Sequence, residues 1–230
     1  MIKGITFDLE GTVVDVEMVH FEAYTMACND VRLGLDIGFF LQEIRQFAGI
    51  GDQRIAHYLS KAKNGLDENV LLERKRLHYN ELLEKVEVAP RPGFLEALAK
   101  IKEMGFRAAI GSLTYVTQAK VLLERSGLDK IFQRELIVLR EDVKDPKPAP
   151  DVYLETAKRL GINPAEQLVF EDSPTGLMAA KSAGSPAIAM PVFNTSLIMN
   201  GLVEAGAVRI FSDWREMNVE AVIQNLNQGG

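Results

Sequence analysis

Four short segments of the sequence place acidic, hydroxyl and lysine side chains just after predicted strands or just before a helix. The segments are Asp8-Leu9-Glu10-Gly11-Thr12, Gly111-Ser112-Leu113-Thr114, 145–150 and 170–176. Ligands of an open α/β sheet collect beyond the carboxyl ends of its strands, so these segments are predicted to meet. Together they offer carboxylates, a hydroxyl and an ammonium, carried by Asp8, Glu10, Glu171, Asp172, Ser112 and Lys147.

This set of side chains suits the transfer of a phosphoryl group. Clustered carboxylates repel one another unless a cation joins them, and ligands that are all oxygen favour a hard ion such as Mg²⁺. A lysine and a hydroxyl beside that ion would neutralise the phosphoryl oxygens. One carboxylate can act as the nucleophile, and a second, two positions along the chain, can move the proton. Gly11 permits a tight turn that points backbone N–H groups at the ligand.

Each segment taken alone has a simpler explanation. An Asp-x-Glu-Gly sequence at a strand end is commonly a polar turn, and Lys147 among prolines is commonly a solvated loop residue. Asp172-Ser173-Pro174 is also a good start for a helix, since serine caps helices and proline fits the first helical position. The functional interpretation therefore depends on the four segments occurring together, each after the appropriate element.

The elements that would hold these segments alternate between strand and helix. Short apolar runs predict strands, and helical spacing of apolar residues predicts the segments between them. The predicted strands are Ile2–Asp8, 107–112, 135–139, 167–172 and 187–190, and the predicted helices are 94–104, 115–126, 150–160 and 174–183. This alternation predicts an α/β fold with a Rossmann-like parallel sheet core.

A helical insert interrupts this core after the first strand. More than ~100 residues separate the strands that end at Asp8 and Ser112, whereas a βαβ unit needs only about 30. Residues 16–88 show apolar residues at helical spacing and predict four helices, with charge runs such as Glu73-Arg74-Lys75-Arg76 on a solvated face. We therefore expect residues 1–15 and 89–230 to form the core, and residues 16–88 to form a helical-bundle cap that acts as a lid.

Composition excludes several classes of protein. The 26 Lys and Arg against 32 Asp and Glu give a net charge of −6, which lacks the basic surface of nucleic-acid and membrane-surface binders. The single cysteine cannot form an internal disulfide, and three histidines are too few for a His/Cys zinc site. No apolar run reaches the ~20 residues of a membrane span, and the first residues lack a signal-peptide pattern. A cytoplasmic protein, monomeric or weakly dimeric, is expected.

The four segments, in this order, resemble the four motifs of the haloacid dehalogenase superfamily. The helical insert after the first motif resembles the group that contains phosphoglycolate phosphatase-like enzymes and β-phosphoglucomutase. The resemblance implies a phosphatase that acts on a small phosphorylated metabolite through Asp8 as nucleophile, with Mg²⁺ as cofactor. It implies Ser112, Leu113 and Lys147 as substrate contacts, Asp172 as a direct metal ligand and Glu171 beside the metal.

Position 10 departs from the family pattern, because members usually carry aspartate where this chain has Glu10. The family's metal contact at this position uses the main-chain carbonyl and would survive. The side chain would serve as general acid and base, and its extra methylene displaces the carboxyl group by about a bond length. A misplacement of about 1 Å can cost on the order of 10²-fold in rate. A slowed phosphatase is predicted, and a phospho-ligand-binding protein of low activity is the alternative from another class.

The cap offers three further candidate substrate contacts. His20 resembles the hinge histidine of β-phosphoglucomutase, although a half-buried helix residue is the simpler interpretation. Residues 49–54 resemble the cap loop that meets the substrate, which makes Asp52 and Arg54 candidates; a solvated helix start is the alternative. Since the mutase pattern has arginine where Asp52 stands, a phosphosugar mutase is less favoured than a phosphatase.

Overall fold

The computed structural model describes residues 1–43, 51–61 and 66–228. The chain divides into two compact units. One combines Met1–Asp15 with Val88–Gly230, and the other is Val16–Glu87. Each unit is described by itself below.

The first unit is built on one parallel sheet. Its strands are β1 (Gly4–Phe7), β2 (Arg107–Gly111), β3 (Ile137–Val138), β4 (Gln167–Glu171), β5 (Ala187–Ala189) and β6 (Arg209–Ile210). They lie in the order β3-β2-β1-β4-β5-β6, and every neighbouring pair is parallel. The order reverses beside β1, which is where an open sheet of this kind leaves a crevice for ligands. The predicted fold class is confirmed.

Helices connect the strands of the sheet and form the second unit. In chain order, the helices of the described residues are α1 (Glu17–Asp30), α2 (Ile37–Gln42), α3 (Asp52–Lys61), α4 (Glu68–Leu83), α5 (Phe94–Glu103), α6 (Val116–Ser126), α7 (Asp151–Leu160), α8 (Pro174–Ala183), α9 (Ser196–Glu204) and α10 (Val219–Gln228). Short turns, including Trp214–Glu216, complete the connections.

The strands are one to three residues shorter than predicted, but their hydrogen bonding continues past the ends. Asp8 N donates to Phe170 O at 2.9 Å, and Ser112 N donates to Val138 O at 3.0 Å. The first residue beyond each of these two strands is therefore still tied to a neighbouring strand. This matters for function because Asp8 and Ser112 are both predicted site residues.

An aromatic cluster underlies the centre of the sheet. Phe7 of β1 stacks on Phe170 of β4 with ring centroids 5.3 Å apart, and both rings contact Trp214. Trp214 also donates its indole N–H to Thr12 O at 3.1 Å. Such rings bury large apolar areas, and the indole nitrogen needs a partner when it is buried. The cluster thus fixes both the central strands and the loop that follows β1.

The helical unit, residues 16–87, packs α1 against α4. Its core includes Phe21, Tyr24, Leu71 and Tyr79, which are almost fully buried. The prediction that the charged run at 73–76 lies on a solvated face is wrong for Lys75, which is only 2% exposed. Its spacing explains this burial, because residues four apart lie on the same face of a helix and Lys75 stands midway between Leu71 and Tyr79.

Candidate active site

Lys147 joins two carboxylates at the carboxyl end of the sheet. Its ammonium group donates to Asp8 Oδ1 at 2.5 Å and to Glu171 Oε1 at 2.6 Å. It also donates to Gly111 O at 3.3 Å. Asp8 follows β1, Glu171 ends β4 and Gly111 ends β2, so one ammonium contacts three neighbouring strands. The predicted convergence of the strand ends is therefore present for Asp8, Glu171 and Lys147.

Glu171 is held by several donors besides Lys147. Tyr153 OH donates to Oε1 at 2.9 Å, and the backbone N–H and hydroxyl of Ser173 both donate to Oε2 at 3.0 Å. Helix α8 begins directly against this carboxylate, since a Cβ atom on Gly176 would come 1.7 Å from Oε1. Both oxygens of Glu171 thus accept from protein donors, and the side chain is well placed to fix the position of Lys147.

Asp172 lies against the loop that follows β1. Thr12 donates its hydroxyl to Asp172 Oδ1 at 3.2 Å. Gly11 has a φ of +81°, and a Cβ atom there would come 2.4 Å from Asp172 Oδ2. Any other residue would clash with the carboxylate as well as strain the backbone. Asp172, directly after β4, thus lies against the loop that follows Asp8 and Glu10, 160 positions from its partner Thr12 in the chain.

Glu10 and Ser112 are linked through a third residue. Thr114 donates its hydroxyl to Glu10 Oε1 at 3.0 Å, and the hydroxyls of Ser112 and Thr114 are 2.9 Å apart. Ser112 is buried, and Leu113 between them is half-buried. The contact from Thr114 gives the longer glutamate side chain a fixed partner beside the predicted phosphate-binding hydroxyl.

Three residues that contact the site loops, Thr114, Tyr153 and Arg91, are not among those predicted from the sequence. Thr114 was visible in the second motif, two residues after Ser112, where its hydroxyl shares a side of the extended chain with the serine. Tyr153 lies six residues after Lys147, and the 5.0 Å from Lys147 Nζ to its ring centroid is a cation–π contact. No local pattern indicates Arg91, because its partners are distant backbone carbonyls.

The electrostatics of the site are dominated by negative charge. Burial raises the pKa of Asp8 from 3.8 to about 7; Lys147 opposes this rise, while Glu171 and Glu10 add to it. Burial alone would lower the pKa of Lys147, but Asp8 and Glu171 outweigh burial and raise it. One ammonium therefore does not balance the carboxylates around it, and the site has the charge to accept a further cation.

The donor set of the site consists of oxygen atoms, which suits a hard divalent ion. Within residues 1–43, 51–61 and 66–228, no three His, Cys, Asp or Glu side chains form a ready cluster for a metal ion. Side chains alone thus do not make a closed cage, and main-chain oxygen or phosphate would have to complete the coordination. Mg²⁺ is commonly bound in this way, through one or two carboxylates plus substrate phosphate.

Two of the predicted cap residues, Asp52 and His20, lie in a polar cluster within the helical unit. Asp52 accepts from Tyr24 OH at 2.9 Å and from Lys75 Nζ at 2.8 Å, one bond to each carboxylate oxygen. Lys75 Nζ is also 2.8 Å from His20 Nδ1. A lysine ammonium has only donors, so Nδ1 of His20 is the acceptor when this contact is a hydrogen bond from Lys75. Arg54 is exposed, and residues 49 and 50 of the predicted substrate loop lie outside the described residues.

Comparison with known proteins identifies the family. The model of the haloacid dehalogenase-like hydrolases matches residues 2–184. The chain belongs to this family. A phosphorylated carbohydrates phosphatase of Thermotoga maritima is 30% identical over 220 residues, which are 95% of this chain and 98% of that protein. The fructose-1-phosphate phosphatase YqaB of Escherichia coli is 31% identical over 187 residues, 80% of this chain and 94% of that protein.

A solved structure agrees with these relatives. A mutant of CbbY from Rhodobacter sphaeroides, in complex with xylulose-(1,5)bisphosphate, superposes with a TM-score of 0.74 at 27% identity, covering 95% of this chain and 97% of CbbY. The predicted family is confirmed, and this hydrolase is an enzyme with curated relatives that are named phosphatases, among them the two above. No helix among the described residues of the hydrolase is long and apolar enough to cross a membrane.

Proposed function

We propose that this hydrolase is a Mg²⁺-dependent phosphatase of small phosphorylated sugars that works through an aspartyl-phosphate on Asp8. The substrate class is supported by the relatives, which are named for phosphorylated carbohydrates and for fructose 1-phosphate. The mechanism rests on one observation above all, the ammonium of Lys147 between Asp8 and Glu171 at the end of β1. A lysine held there can meet a phosphoryl group at the carboxylate that attacks it.

The first half of the reaction transfers the phosphoryl group to the protein. Lys147 holds Oδ1 of Asp8, and Oδ2 attacks phosphorus. The bond between phosphorus and the sugar oxygen breaks as the new P–O bond forms. Glu10 gives its proton to the leaving sugar oxygen, which departs as an alcohol. Ser112 and Lys147 donate to the phosphoryl oxygens and neutralise charge as it shifts.

The second half releases phosphate. Glu10, now a carboxylate, takes a proton from water as that water attacks phosphorus. The bond between phosphorus and Asp8 breaks, and inorganic phosphate leaves with Asp8 restored as carboxylate. The net reaction converts ester and water into alcohol and phosphate. Thr114 holds Glu10 Oε1 in the free protein and can hold the same oxygen during both proton transfers.

We assign the metal to Asp8, the main-chain carbonyl of Glu10, and Asp172. Bound there, Mg²⁺ would supply positive charge to the phosphoryl oxygens and offset the carboxylates. Support comes from the excess of carboxylate over ammonium around Asp8. Glu171 contributes from beside the metal, because its two oxygens already accept from Lys147, Tyr153 and Ser173.

The test is a screen for phosphate release over sugar phosphates, phosphoglycolate and nucleotides, with Mg²⁺ and with EDTA. We expect release from sugar phosphates that needs Mg²⁺ and is lost in Asp8→Asn. The matched control is Asp129→Asn, which removes an exposed carboxylate of the same unit and should leave release unchanged. Equal release by Asp8→Asn and wild type would exclude the covalent mechanism.

The same preparation separates the two alternatives. A phosphosugar mutase would return the phosphoryl group to substrate, so it would show isomerisation activated by a sugar bisphosphate in place of phosphate release. A phospho-ligand-binding protein would bind metal and sugar phosphate without releasing phosphate. The internal bonds of Asp52 argue against the mutase, which needs a cationic group at that place for a second phosphate.

A further inference from the structure

Arg91 connects the loop after β1 to two other loops of the same unit. Its Nη1 donates to Gly11 O at 2.6 Å and to Met190 O at 2.5 Å. Its Nη2 donates to Pro191 O at 3.2 Å and to Ser212 O at 2.9 Å. Met190 and Pro191 follow β5, and Ser212 follows β6. One guanidinium therefore binds four main-chain carbonyls beyond the ends of three strands.

The guanidinium uses all four protons of its two terminal nitrogens in these contacts. A planar fork of this kind spans acceptors on opposite sides, whereas a lysine carries its three donors on a single nitrogen. Bonds from a charged donor are also stronger than those between neutral groups. The backbone of Arg91 adds a further contact, since its N–H donates to Val13 O at 2.7 Å.

Residues 11–14 have hydrogen bonds within the loop, with Trp214 and Asp172 at Thr12, and with Arg91, and Val13 and Val14 are fully buried. Gly11 N donates to Val14 O at 2.8 Å, and the N–H groups of Val13 and Val14 both donate to Leu9 O at 3.0 Å. These internal bonds give the loop its shape. Trp214 and Asp172 hold the loop at Thr12, and Arg91 holds it at Gly11, the residue directly after Glu10.

We propose that Arg91 is a positioning residue of the active site, which holds the loop of Asp8 and Glu10 in register with the loops after β5 and β6. The inference rests on the proposed phosphatase function for its catalytic consequence. Arg91 touches neither substrate nor reacting atoms in this scheme. It acts through the Gly11 carbonyl, and so through the orientation of Glu10 and the close approach of Gly11 to Asp172.

The catalytic test compares Arg91→Lys and Arg91→Met with wild type. A shift of about 1 Å in a reacting group can cost about 10²-fold in rate, so we expect Arg91→Met to lower kcat by about that factor. KM should change far less, because Ser112 and Lys147 remain in place. The kcat of Arg91→Lys should lie between those of wild type and Arg91→Met. Methylguanidine added to Arg91→Ala should restore part of the lost kcat. An Arg91→Met enzyme that keeps the wild-type kcat would overturn the proposal.

The control is Arg159→Met. Arg159 also donates to a main-chain carbonyl, that of Ile137 at 2.7 Å, and it pairs with Glu155 and Asp142. It contacts none of the residues 8–14 in the described structure. Its loss should lower the melting temperature without lowering kcat, and methylguanidine should have no effect on its rate. If Arg159→Met lost as much kcat as Arg91→Met, the effect of Arg91 would be one of general stability, and the proposal would be contradicted.

Hydrogen exchange tests the positioning role of Arg91 without an activity assay. It applies even if wild type releases no phosphate, a result that would refute the proposed function but not the positioning role. Amides of residues 11, 13 and 14 lie in hydrogen bonds of the loop and should exchange slowly in wild type. We expect faster exchange in the peptide covering residues 9–15 of Arg91→Met, and no change there in Arg159→Met. Unchanged exchange in Arg91→Met would overturn the positioning role whatever the activity.

Discussion

The buried carboxylate of Asp8 should make the protein less stable at the pH where that carboxylate is ionised. The folded pKa of Asp8 is about 7, against an ordinary value of 3.8. The folded state therefore binds more protons than the unfolded state between these values, and the free energy of unfolding falls as pH rises through that window. The loss is nearly complete by about pH 8 and should remain constant above it.

The magnitude follows from the same two values. At about 1.36 kcal/mol for each pKa unit, the rise from 3.8 to about 7 corresponds to about 4 kcal/mol. Asp8→Asn removes the charge and keeps an oxygen that can accept from Lys147. The variant should thus be more stable than wild type at pH 8. Between pH 5 and pH 8 its advantage should widen by about 3 kcal/mol.

Urea unfolding in EDTA, followed by tryptophan fluorescence, measures this difference. The chain has one tryptophan, Trp214, and it is buried against Phe7 and Phe170 beneath the site. Asp129→Asn is the control for an exposed acid and should follow wild type at every pH. A constant difference between Asp8→Asn and wild type from pH 5 to pH 8 would refute the reasoning. Added Mg²⁺ should stabilise wild type more than Asp8→Asn at pH 8, since the variant lacks a proposed ligand.

Three further predictions concern single contacts. Glu10→Asp should raise kcat by on the order of 10-fold or more by restoring the family's side-chain length, and a lower kcat on every ester tested would contradict this. Tyr153→Phe keeps the ring beside Lys147 but removes the hydrogen bond to Glu171. The kcat should fall by about 10-fold, which corresponds to about 1.4 kcal/mol. An unchanged kcat would show that this hydrogen bond does not contribute to catalysis. In the helical unit, Asp52→Asn should destabilise the fold more than Lys75→Met, because Asp52→Asn leaves the buried ammonium of Lys75 without its carboxylate. Limited proteolysis would then cut Asp52→Asn faster than Lys75→Met. Faster cutting of Lys75→Met would refute this prediction.

The parts of the site predicted from sequence are those fixed by strand order. Asp8 and Glu171 stand at the ends of β1 and β4, and parallel pairing with register Phe7↔Phe170 brings them side by side. Period-2 and period-3.6 patterns identify such elements because burial on one or both faces dictates them. The convergence of distant acids thus follows from topology, which a chain of alternating strands and helices largely determines.

The contacts that sequence analysis missed depend on side-chain rotamers and on backbone carbonyls. Nothing in the residues around Tyr153 or Arg91 indicates which distant oxygen each will meet. Lys75 is a different case. Its spacing from Leu71 and Tyr79 indicates burial, but its charge favoured the prediction of a solvated residue. A charged residue at the centre of an apolar i, i+4 series should be predicted buried and paired, as Lys75 is with Asp52.

Two cationic side chains of the α/β unit, Lys147 and Arg91, hold different parts of the site together. A parallel sheet aligns its strands by main-chain hydrogen bonds. In the described structure these bonds continue to the first residues past β1 and β2, Asp8 and Ser112, and they leave a gap between the loops beyond. Lys147 bridges that gap between side-chain charges, and Arg91 bridges it between main-chain carbonyls. Because Lys147 contacts the proposed nucleophile and Arg91 donates to main-chain carbonyls, loss of Lys147 should abolish phosphate transfer, whereas loss of Arg91 should slow it.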